Sequence, residues 1–124
     1  MNVINIRKAE LRKKGYKDLR DWLSADSKHV YIGRNMSHYI PGAIGSMWQN
    51  PYSLKHYTRE ESLKLYKDYV LTSTKIQSNG KTLFQSLMDI KTATLGCFCH
   101  PEACHGHVLA NLVTDYCNTC ITDE

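Results

Sequence analysis

The sequence predicts a small α/β protein of one domain, residues 1–124, in which helices flank a short, mostly parallel sheet and an irregular loop at residues 36–55 covers it. Three observations carry that prediction. Runs rich in β-branched residues occur at "NVINI" (2–6), "HVYIG" (29–33) and "TATLGCFC" (92–99), and helical apolar spacing fills the stretches between them. Strands alternating with helices make layered structures, and crossover connections make their strands parallel. A chain of 124 residues holds one hydrophobic core and is too short for two ordinary domains.

The first strand ends at Arg7 and Lys8. After Gly15, Leu19, Trp22 and Leu23 recur at helical spacing within residues 17–24, and the second strand then stops at Gly33 before Arg34. Pro41, Gly42, Gly45 and Pro51 break up residues 36–55, a segment too rich in Tyr, Trp and Ile to be read as disordered. Thr58 followed by Glu61 is a capping-box pattern. It opens a helix over 59–73 whose stripe is Leu63, Tyr66, Tyr69 and Val70, core residues by their spacing. Asn79-Gly80 makes a turn before a helix carrying Leu83, Phe84, Leu87 and Met88. The last strand runs straight into "CFCHPEACHGH" (97–107). A closing helix over 105–116 buries Val108, Leu109, Leu112 and Val113.

Ligands of open parallel sheets bind beyond the carboxyl ends of the strands. That rule gathers Arg7, Arg34 and the Cys97 to His107 segment at one edge. Arg7 and Arg34 could grip a phosphate or carboxylate bidentately. Trp48 and Asn50, in the covering loop, offer an aromatic platform beside an amide, although a tryptophan under a long loop serves equally well as a core plug.

The motif itself concentrates three of five cysteines and three of six histidines in eleven positions. As a metal site it would offer Cys97, Cys99, Cys104 and His105 to zinc, joined by the pair Cys117 and Cys120, yet the spacing matches no standard two-plus-two module. As a catalytic site it would use a thiolate at Cys99 or Cys104 with His105 or His100 as base. Pro101 and Glu102 fit the approach to a helix whose first N–H groups, near Cys104 and His105, attract anions and lower a nearby thiol pKa. The plainest reading makes Cys97 a small buried hydrophobe and leaves Cys117 and Cys120 without a specific role.

Taken in order, "NVINIRK", "VYIGR", "GSMWQNPYSL" with "TREESLKLY", and "LGCFCHPEACHGHVLANL" resemble the domain of unknown function 4326 family over nearly the whole chain. The resemblance implies a phage, viral or bacterial source and brings no established activity. Pro101 to His105 is also similar to the Pro-Glu-x-Cys-His signature of the domain of unknown function 488 family. Some members of that group lack the cysteines, which counts against a structural metal. Where family members carry an acidic residue after Cys-His-Gly, this chain has His107. If that acid orients a ligand, His107 takes its place in the ligand site.

Charge and targeting bound the partners. The net charge of +4 is concentrated: residues 7–20 hold seven Lys or Arg against Glu10 and Asp18. An anionic partner is favoured, either a small nucleotide-like ligand in the pocket or nucleic acid on the basic run. No stretch is long and apolar enough to cross a bilayer, and "MNVINIRKAE" lacks the apolar centre of a secretory signal, so the expected setting is the cytoplasm, a host's if the source is viral. No cofactor other than zinc is suggested. Enzyme and binding module both remain open on the residues alone.

Overall fold

The computed structural model describes residues 1–98 and 102–122, the last six without their side chains. Cys99, His100 and Pro101, and the thiols of Cys117 and Cys120, therefore lie outside the described residues. The elements are β1 (Asn2–Asn5), α1 (Lys8–Lys13), α2 (Leu19–Ala25), β2 (His29–Tyr31), α3 (Arg59–Thr72), α4 (Leu83–Asp89), β3 (Thr94–Cys97) and α5 (His105–Thr122). The three strands form a parallel sheet in the order β1-β3-β2, with Val3 opposite Leu95 and Val30 opposite Leu95 on the other side. The α/β class and the parallel sheet are as the sequence predicts.

Alternation along the strands builds a layer on each face. Val3, Val30, Ile32, Leu95 and Cys97 pack with α3, α4 and α5, burying Tyr66, Val70, Leu87, Leu109 and Leu112. Ile4, Ile6, Tyr31 and Phe98 point the other way, against Leu11, Leu19 and Trp22 of α1 and α2. Gly96 lets the tryptophan lie flat on the sheet: a Cβ there would stand 2.9 Å from the Trp22 ring and 2.7 Å from Ile6. The chain moves two places along the sheet from β1 to β2 and one place back to β3. Crossovers of one hand then put their helices on opposite faces, as observed.

Local chemistry accounts for the helix starts. Thr58 accepts the Glu61 backbone N–H (3.1 Å) while the Glu61 carboxylate accepts the Thr58 N–H (3.1 Å), the capping box read from the sequence. Thr82 and Gln85 repeat it at α4. Two differences from expectation stand out. Helix α1 was not foreseen, because Leu11 is its single buried residue in an otherwise charged run. The third strand is shorter than 92–99, since Thr92 lies in a turn and Phe98 in a bend. Residues 36–55 contain no helix or strand, as expected of the covering loop.

Candidate functional site

The carboxyl ends of β2 and β3, the starts of α3 and α5, and residues 49–55 enclose an open cleft of about 810 Å³. Of the residues singled out in the sequence, Arg34, Asn50, Cys97, Cys104 and His105 line it. Arg7, Trp48 and His107 do not, and Cys99 lies outside the described residues.

At the cleft floor the sulfurs of Cys97 and Cys104 stand 3.3 Å apart, each thiol almost fully buried. One ends a central strand and the other precedes the first residue of α5, so both are held by regular structure. The hydrogen bond to Cys97 and then burial push the Cys104 thiol pKa up, against the lowering pull of the Gly106 and His107 backbone N–H groups. The thiol form is thus the resting one. Close packing also fixes this helix start: a Cβ on Gly106 would come within 2.8 Å of Ile32 and 3.1 Å of Val3.

His105 is fixed as firmly. Its Nε2 lies 2.7 Å from the Ile32 carbonyl oxygen, which can only accept, so Nε2 carries the proton. Burial lowers its pKa despite that bond, which keeps the ring neutral and leaves Nδ1 as its basic atom. The Tyr66 ring meets it edge-on at 5.1 Å, and the Tyr66 hydroxyl donates to the Trp48 carbonyl (2.8 Å). His107 turns toward the helix end, where Nδ1 accepts the Cys104 backbone N–H (3.1 Å). An acidic side chain at this third helical position would accept the same proton.

The remaining residues occupy definite places. Trp48 is 5 % exposed and belongs to the core beneath the loop. Asn50 ties the loop to α3: its amide donates to Ser62 Oγ (2.9 Å), and its carbonyl accepts the Tyr52 backbone N–H (2.9 Å). Arg7 is exposed at the N-cap of α1, just after β1, the edge strand across β3 from β2. The Tyr31 hydroxyl donates to the Arg34 carbonyl (2.6 Å), arching over Gly33, where a Cβ would fall 2.4 Å from that hydroxyl. Burial raises the Tyr31 pKa, and nearby Arg34 opposes the rise.

Two cations in the lining escaped the sequence reading, Lys55 and Arg59. Arg59 donates to the Ala103 carbonyl (2.6 Å) and pairs with the exposed Glu102 carboxylate (3.4 Å), holding the approach to α5 from outside. Its position directly after the Thr58 cap was the available signal. Arg34, Lys55 and Arg59 face the cleft with no Asp or Glu among the described lining residues. Tyr31, Tyr52 and Phe98 supply aromatic surface. Among the described residues, no group of three or more His, Cys, Asp or Glu side chains is arranged to hold a metal ion, and no helix is long and apolar enough to cross a membrane.

Comparison with known proteins places the chain in a wider group. The chain is 30 % identical over 92 residues to an uncharacterized protein of Acanthamoeba polyphaga mimivirus, covering 67 % of this chain and 65 % of that protein's length. No solved structure matches it. The profile described as domain of unknown function DUF4326 matches residues 15–115, which include β2, β3, the cleft lining and the first eleven residues of α5. The chain belongs to the DUF4326 family.

Proposed function

We propose that the cleft binds a small anionic ligand of nucleotide size. The supporting observation is the charge of its lining: Arg34, Lys55 and Arg59, the last paired with Glu102, with no carboxylate among the described lining residues. A volume of about 810 Å³ falls within the range of small-molecule sites, and the Tyr31, Tyr52 and Phe98 rings suit a planar base. The raised thiol pKa of Cys104 favours binding over a preformed thiolate nucleophile. His105, neutral with Nδ1 unprotonated, acts in this reading as a hydrogen-bond acceptor for the ligand.

Isothermal titration calorimetry with AMP and with adenosine tests the reading. AMP is expected to bind at least about tenfold more tightly than adenosine, because one charge-assisted hydrogen bond is worth about 1.5–3 kcal/mol. Arg34→Ala should remove that preference. Equal affinity for the two, or AMP binding untouched by Arg34→Ala, would defeat it.

A further inference from the structure

We propose that Cys97 and Cys104 form a thiol–disulfide exchange site for a low-molecular-weight disulfide that enters the cleft. Three features on different elements converge on it. The sulfurs are 3.3 Å apart without being bonded, whereas a disulfide needs about 2.05 Å, so closure asks for a shift of only about 1 Å. Both residues line the open cleft, which gives a reagent a path to otherwise buried sulfur. The Cys104 sulfur precedes the start of an 18-residue helix, whose Gly106 and His107 backbone N–H groups pull its pKa down and favour its thiolate once a proton leaves.

The exchange balances as follows. One cysteine loses its proton and attacks a sulfur of RSSR; a protein–S–S–R bond forms, the S–S bond of the reagent breaks, and RS⁻ leaves and takes up a proton. The second cysteine, also losing its proton, attacks the protein sulfur of that mixed disulfide. The Cys97–Cys104 bond forms, and the second RS⁻ departs and is protonated. Two protein thiols are oxidised, and one RSSR is reduced to two RSH.

Closing the bridge ties the end of β3 to the start of α5 and removes two thiols from the cleft floor. Arg34, Lys55 and Arg59 would draw an anionic disulfide faster than a neutral one. That rate difference rests on the anion reading above, whereas the exchange itself does not.

The folded full-length protein, incubated with oxidised glutathione or with bis(2-hydroxyethyl) disulfide and then alkylated, tests both by peptide mass mapping. The expected product has lost two hydrogens, and its fragment ions link Cys97 to Cys104, with oxidised glutathione reacting faster. Bridging at equal rates with both reagents upholds the exchange and counts against the anion reading. A bridge to Cys99, a lasting glutathione adduct, or two cysteines still open to alkylation with neither reagent consumed overturns the exchange. As a second measurement on the same reaction, Cys104→Ser should stop at a glutathione adduct on Cys97; an intact Cys97 thiol there overturns it too.

Discussion

Helices α3 and α5 begin with the same local arrangement built from different chemistry. At α3, Thr58 and Glu61 exchange hydrogen bonds through a hydroxyl and a carboxylate on the exposed surface. At α5, the Cys104 carbonyl accepts the His107 N–H (3.0 Å), and His107 Nδ1 accepts the Cys104 N–H (3.1 Å). Oxygen acceptors make the stronger cap, and the Thr58 hydrogen bonds hold the Glu61 carboxyl below its ordinary pKa. An imidazole caps less strongly, but Cys104 also lines the cleft, which His107 does not. The difference separates a helix start on the exposed surface from one that also lines the cleft.

Breaking the packing at these starts gives the largest expected contrast. Gly106→Val, with branches driven toward Ile32 and Val3, should cost about 1–3 kcal/mol by urea denaturation. Glu60→Val, at the same second helical position of α3 but exposed, should stay within about 0.5 kcal/mol. Equal losses would mean that α5 does not need its close approach to the sheet. Removing the oxygen cap comes next: Thr58→Ala should lower stability by about 1 kcal/mol, read from the same titrations, and leave AMP binding unchanged.

The smallest effect sharpens the comparison most. His107→Asp places a carboxylate at the positive end of the α5 dipole and should raise stability by about 0.3–1 kcal/mol with AMP affinity unaltered. A tenfold change in affinity would show instead that residue 107 reaches the ligand.

Much of this fold is legible in the sequence because its signals are local. The capping box at Thr58, the β-branched runs, and the stripe of Tyr66 and Val70 each depend on residues a few positions apart. The box at Thr82 and Gln85 was equally readable, being the same pattern with glutamine. Strand order is not local. A parallel sheet fixes that its carboxyl ends share an edge, but only the order β1-β3-β2 shows that Arg7 and Arg34 follow strands separated by a third. Side-chain direction in an irregular segment is equally hidden: Trp48 plugs the core and Asn50 fastens the loop to Ser62, choices set by the shape of α3 beneath them. His107 is a case of register. The closing helix read from the sequence already starts at His105, so position 107 is its third residue, and the turn of that side chain toward the backbone is legible from the register.

The central place of β3 has a consequence for how the molecule comes into being. Among the described residues, strands β1 and β2 pair only with β3, which begins at Thr94, so until that strand is made the growing chain carries two strands with no partner. Arg34 and Arg59 are made first, and the part of the cleft formed by Cys97 and Cys104 follows later. Sheet, cleft and dithiol therefore form together in one late step, and a chain interrupted before β3 has none of the three.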